Sequence, residues 1–336
     1  MPSPTVTSSR RVVVLVGVVA LLLVTVVLSF VVGSRSIPLG RVIDAFTAFD
    51  GSLDHRVVRD GRVPRAVVSL LVGAALAAAG TLMQGLTRNP LADPGILGIE
   101  AGASLGAVVA LRWIGWIDLR AIVWFAFLGA GVAALVVLVL GSAGRGGANP
   151  VKLALVGTAA TALFTSITTG ILLLDSRTLD GHRFWIVGSV KDRDLVLAGR
   201  VAPIIVVGLV LAFVAAPWLN GLALGEDSAR GLGIDVRRAR LVTSLAVVLL
   251  AGAAVSLAGP IGFVGLAIPH LGRALLGHDY RWILAFSLVA GPLMLLGADV
   301  VGRVAAPGEL QTGVVTAIVG APVLLAIIRR RGLGGL

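Results

Sequence analysis

The sequence predicts an all-α polytopic membrane protein, on three observations. Apolar residues fill 57% of the 336 positions, more than the roughly 45–50% of a soluble domain. Charged residues fill only 13%, about half the usual share. The apolar residues also gather in runs near the roughly 20 residues that a helix needs to cross hydrocarbon. Leu, Val and Ala are too abundant for a chain that stays disordered.

Ten spans follow in order. The first, 12–32, comes after Arg10 and Arg11. It exceeds the roughly 7–15 residues of a signal-peptide core and lacks a small-x-small cleavage site, so it reads as a retained helix. Spans 64–86, 94–112, 121–141, 151–174, 197–216 and 241–258 are apolar runs separated by charged or Gly- and Pro-bearing connections. The eighth, 260–276, is short, and Pro260 and Pro269 predict a broken helix there. Spans 282–302 and 312–328 complete the set. Connections 33–63 and 175–196 are long, and 217–240 is polar and Gly-rich. The chain reads as one transmembrane domain, 1–336. An even number of spans puts both termini on one side.

The positive-inside rule chooses that side. With both termini inside, inner loops carry 14 of the 28 bases, Arg145 and Arg237 among them, and outer loops carry the other 14. Six outer bases crowd 33–65 and five fall in 175–200, long segments that weigh less in the rule. The short loops and termini favour a cytoplasmic N- and C-terminus. The net charge of +11 is therefore loop charge in a membrane protein. No basic stripe interleaved with aromatics points to nucleic acid. With no cysteine, disulfides, thiolate metal sites and a cysteine nucleophile are excluded.

Site chemistry is sparse. A P-loop needs Gly-Lys-Ser/Thr, and neither Lys152 nor Lys191 has that context, so any ATP and Mg would be bound by another chain. His55, His182, His270 and His278 show no ligand spacing, so no metal site and no cofactor are expected in this chain. Two carboxylates lie within spans: Asp299, with Arg303 one turn on, and Glu100. Intramembrane carboxylates are proton-relay candidates, which keeps an ion-coupled secondary transporter as the rival function. Gly98, Gly102 and Gly106 repeat every four residues, and Gly259, Gly262 and Gly265 every three; such faces serve close helix packing or line a pathway.

Two further patterns concern architecture. Gly73–Gly80 resembles Gly252–Gly259 at an offset of 179, shared by Pro90 and Pro269, in spans of opposite direction. Coincidence in an Ala-rich chain or an inverted repeat explains it. The stretch Leu222-Ala223-Leu224-Gly225-Glu226-Asp227-Ser228-Ala229-Arg230-Gly231-Leu232-Gly233 predicts a short capped helix, too short to stand alone in water. It must lie on the protein's own base or on a partner.

Arg62-Val63-Pro64-Arg65, Gly73–Ala77, Gln84 and Asn89-Pro90-Leu91-Ala92-Asp93-Pro94-Gly95 resemble the FecCD-type permeases that import iron–siderophores, haem and cobalamin. So do Leu222–Gly233, Gly259–Leu266, Ile268-Pro269-His270, Asp299, Arg303, Glu309-Leu310, Gly313 and Gly320-Ala321-Pro322. The resemblance implies an ABC importer permease of the large type, in a bacterial plasma membrane, carrying a ferric siderophore or related metal chelate. Expected partners are a second permease subunit, two ATP-binding subunits and an external substrate-binding protein. Arg62, Arg65 and Arg303 would dock that binding protein. Residues 217–240 would be the cytoplasmic coupling segment, with Leu222, Leu224, Gly225, Glu226, Ala229, Arg230, Gly231, Leu232 and Gly233 on the ATPase. Gln84, Asn89, Pro90, Gly262 and Gly265 would lie along the translocation path. Gln311, where the family usually has proline, and Glu100, at a usually uncharged place, depart from the pattern.

Overall fold

The computed structural model describes residues 7–114, 119–143, 150–306 and 308–331, and every regular element among them is helical. Arg145 lies outside the described residues. Helix α1 spans Ser8–Val31, α2 Leu39–Thr47 and α3 Leu53–Arg56. A wider-pitched π stretch, Val57–Arg62, runs into α4, Val63–Thr87. A 3-10 turn, Pro94–Leu97, leads to α5, Ile99–Trp113, then α6, Leu119–Ser142, and α7, Pro150–Leu174. Next come α8 (Ser176–Ile186), α9 (Leu195–Ala223), α10 (Glu226–Gly231) and α11 (Val236–Ala258). Helices α12 (Val264–Leu276), α13 (Tyr280–Ala305) and α14 (Thr312–Arg331) close the chain.

Each of the ten expected spans holds a helix, and among the described residues seven helices are long and apolar enough to cross a membrane. Three expectations need correction. The connections 33–63 and 175–196 are not loops, since they hold α2, α3, the π stretch and α8. Helix α9 continues through Pro217 to Ala223, so the 217–240 connection shrinks to 224–235. Burial of Leu219 and Leu222 beyond the proline outweighs the backbone hydrogen bond it forfeits. Helix α12 likewise runs unbroken through Pro269. The break precedes it, at residues 259–263, where Gly259 (φ 75°) and Phe263 (φ 69°) leave the helical region.

Helix α4 is the axis, buried along most of its length. It can be central because its small residues admit neighbouring backbones. A Cβ on Gly80 would collide with the carbonyl of Gly265 on α12, and one on Gly73 would lie 2.6 Å from the carbonyl of Gly291 on α13. Helices α5 and α6 meet the same way at Gly102 and Gly129. Gly98 caps the start of α5 in a left-handed conformation (φ 70°), and a Cβ there would make only ordinary contact with Ala133 and Val137 of α6. The glycine patterns at 102, 106 and 265 thus serve packing.

The repeat is visible as packing. Helix α5 packs on α6 and α7, and α6 on α7; α12 packs on α13 and α14, and α13 on α14. Helix α4 crosses to α12 and α13, as α11 crosses to α5 and α6. The bundle has an end carrying α10 and an opposite end carrying α2 and α8. Arg11 stacks its guanidinium 5.6 Å over the ring of Trp282, so α1 starts at the α10 end. There Asn220 clamps two helices, donating to Asp279 at 2.8 Å and accepting from the Tyr280 amide at 2.9 Å.

Candidate functional site

Three regions hold the residues singled out by the sequence. At the end opposite α10, the π stretch and the first turn of α4 turn Arg62 and Arg65 inward. Arg62 is buried and donates to the backbone carbonyls of Phe30 and Arg35, closing the end of α1. Arg303 is buried too, donating to Asp299 one turn back on α13 and to the Ser29 carbonyl at 2.7 Å. Both arginines are thus engaged inside the fold, where they satisfy carbonyls at and just past the end of α1. Arg65 pairs with acids instead. Its guanidinium, 11% exposed, lies 2.7 Å from Glu309 and 3.9 Å from Asp299. Lys191, half exposed, completes this group at 3.2 Å from Glu309. Burial pushes the Glu309 carboxyl up, but hydrogen bonds and charge from Arg65 and Lys191 outweigh it and hold it below its ordinary value. The outer acids Asp50 and Asp54 are engaged locally as well, with Arg41 at 3.3 Å and Arg35 at 2.7 Å.

Asp299 is bound by Arg303 and faced by Arg65, an arrangement that suits a structural ion pair better than a free proton relay. Glu100 sits in the first turn of α5, where the helix dipole favours an acid.

At the other end, Gly225 (φ 110°) and Gly233 (φ 78°) turn the chain sharply on either side of α10. The six-residue helix lies against α9 and α11. Glu226 is bound by Arg240 of α11, and Arg230 lies 3.3 Å from Glu226 and 3.0 Å from Asp227. Ala229 and Leu222 are buried against the bundle, so neither presents its side chain outward as expected for the coupling set. Leu224 and Leu232, flanking α10, are 67% and 65% exposed. The arrangement is a rigid step with two apolar studs.

The residues expected along a path separate. Gln84 is buried, donating 3.1 Å to the Gly265 carbonyl and accepting from Arg273, so it locks α4 to α12 instead of lining a channel. Asn89 accepts from the Leu91 amide at 2.9 Å, forming a turn, with Pro90 partly covered beside it. Gly262 lies in the unwound stretch before α12 with open space around it. Sequence reading missed Arg273, Lys191, Arg240 and Asn220. Each is a polar residue whose partner is far away in sequence, and spacing carries no signal for such pairs.

Among the described residues no cluster of three or more His, Asp or Glu could hold a metal. The bundle is similar to a metal-chelate type ABC transporter solved in an inward-facing conformation. The TM-score is 0.83 at 25% identity, over 95% of this chain and 99% of that one. In sequence it is 43% identical to the ferric enterobactin transport system permease protein FepD of Escherichia coli, covering 97% of both chains. It is 40% identical to the iron(3+)-hydroxamate import system permease protein FhuB of Bacillus subtilis, over 96% of this chain and 84% of that one. The model of the FecCD transport family matches residues 21–330. With that match along nearly its whole length, the chain belongs to the FecCD transport family.

Proposed function

We propose that the chain is the transmembrane permease subunit of an ABC importer that moves a ferric siderophore or related metal chelate into the cytoplasm. The observation that carries this reading is the step at α10. A helix of six residues, fixed to the bundle through Glu226 and Arg240, leaves Leu224 and Leu232 uncovered. Apolar side chains on a rigid, charged step suit a second protein that pushes on the bundle. In this reading that protein is the ATP-binding subunit, which holds the ATP and Mg and performs the hydrolysis. Two of them serve a pair of permeases, either two copies of this chain or a sibling. The α10 end, with both termini, faces the cytoplasm of a bacterial plasma membrane. The opposite end receives an external substrate-binding protein, with Lys191 as the half-exposed cation of the Glu309 group and Arg65 largely covered beside it.

Gly262 and the turn at Asn89 and Pro90 are the remaining candidates for the path. The relatives' substrates, ferric enterobactin and hydroxamate, are the chemistry to try first. Uptake of a labelled ferric siderophore into vesicles containing the assembled transporter should require ATP and stop with vanadate. Uptake that ignores vanadate and collapses with a proton uncoupler would overturn the proposal in favour of ion coupling.

A further inference from the structure

Helix α2 has three faces where two would serve a water-exposed element. Successive residues turn by about 100° around a helix. Val42 and Ala45 form one arc, buried with Ile37 and Val58 in a small core of their own. Gly40, Asp44 and Thr47 form another, the polar arc. Between them lie Leu39, Ile43 and Phe46, all about half exposed. A helix lying on protein in water needs no third, apolar arc.

The position of that arc says what covers it. The Phe46 ring meets the Phe30 ring of α1 edge-on, with centroids 6.4 Å apart. Helix α1 is a candidate span with very little of its surface buried by protein, so its outward side chains, Val24, Val27 and Leu28 among them, face lipid. The arc of α2 continues that lipid-facing surface past the end of α1. Nearby, Phe49 is exposed beneath the Arg59 guanidinium, 4.7 Å from its ring centroid. Aromatic rings with a cation above them suit the boundary between hydrocarbon and headgroups.

We propose that α2 is an interfacial helix, seated with Leu39, Ile43 and Phe46 in the acyl region of the leaflet at the C-terminal end of α1. Because Arg62 holds the carbonyls of Phe30 and Arg35, this seat also fixes the segment that closes α1.

The chain has no cysteine, so site-directed labels report without background. Single cysteines replace Ile43, Phe46 and, on the polar arc, Thr47; each receives a nitroxide in the full chain reconstituted into phospholipid nanodiscs. Power saturation should show 43 and 46 relaxed more by oxygen than by a water-soluble nickel chelate, and 47 the reverse, with at least a several-fold change in the ratio. Equal nickel access at all three would overturn the proposal, since the arc would then face water. Shielding of 43 and 46 from both agents would also overturn it, because a second protein surface would then occupy the arc. Leu39→Cys repeats the measurement on the same arc should either variant fail to yield folded protein by size exclusion.

Discussion

Arg65 on α4 donates to Glu309 at 2.7 Å, joining residues 244 positions apart in the chain. Glu309 holds a left-handed backbone conformation (φ 63°) that a non-glycine residue adopts only at a cost of about 1–3 kcal/mol. The turn before α14 is thus held in place by side-chain bonds from α4 and from Lys191. This is where three separate segments of the bundle meet at the end opposite α10.

That arrangement predicts a pH dependence. The folded-state pKa of Glu309 is depressed, so its bonds contribute stability above its unfolded value, near 4.5, and lose it as pH falls through the lower folded value. Glu309→Gln should lower the unfolding temperature at pH 7, and the gap from the parent should close below about pH 4.5. Thermal unfolding of the purified chain in detergent, from pH 7 to pH 3, tests this. A gap that stays constant over the range would mean that the charge of Glu309 contributes nothing.

Arg303 and Asp299 give a second prediction. Both are almost fully buried, and removing one member leaves the other uncompensated, which costs about 3–5 kcal/mol. Asp299→Ala should therefore be strongly destabilised, while the paired change Asp299→Leu with Arg303→Met should recover much of the loss. Uptake per folded molecule should persist in the double variant. Its complete absence, in protein that folds normally, would return Asp299 to the role of proton carrier.

Much of the fold was legible before any coordinates, because span length and apolar content answer to the bilayer and to little else. Each expected span holds a helix for that reason, and among the described residues seven of these helices have the length and apolarity to cross. Less legible was where helices stop. Pro269 reads as a break and the sixth span as ending at 216, yet Pro269 and Pro217 both sit inside helices, since local rules weigh the lost hydrogen bond and not the packing that outweighs it. The charged sites were legible in location and not in use. Arg62, Arg65 and Arg303 stand out by type and place, but their partners include the carbonyls of Phe30, Arg35 and Ser29, which no side-chain pattern announces. In the same way, Gln84 reads as a polar residue available to a path, whereas the structure spends both ends of its amide on α12.

The close contacts of α4 predict a sharp contrast between glycines. At Gly80 an added methyl would enter the Gly265 backbone, which cannot yield without separating α4 from α12. Overpacking of this kind costs about 1–3 kcal/mol and more where backbone must move. At Gly131 on α6, nothing lies within 4 Å of the added atom. Gly80→Ala should thus sharply reduce the yield and unfolding temperature of the protein, and Gly131→Ala should leave both unchanged or slightly improved. Equal behaviour of the two variants would contradict the close approach at Gly265.

The last prediction concerns the step at α10. Its studs, Leu224 and Leu232, are exposed in the isolated chain, so changing them should leave folding intact, unlike a bulky residue at the buried Ala229. Covering one such leucine with a partner contributes about 1.5–3 kcal/mol. Leu232→Asp should therefore weaken binding of the ATP-binding subunit by roughly ten- to a hundredfold. Glu226→Gln acts differently. It leaves the studs in place but loosens α10 from Arg240, so binding should hold while transport per ATP hydrolysed falls. Titrating the purified ATP-binding subunit onto permease nanodiscs measures the first effect, and parallel assays of vesicle uptake and ATP hydrolysis measure the second. The two variants separate contact from force transmission: one affects assembly, the other the yield of each cycle. Undiminished binding and uptake with Leu232→Asp would show that the step is a connection within the bundle and that the ATP-binding subunit sits elsewhere.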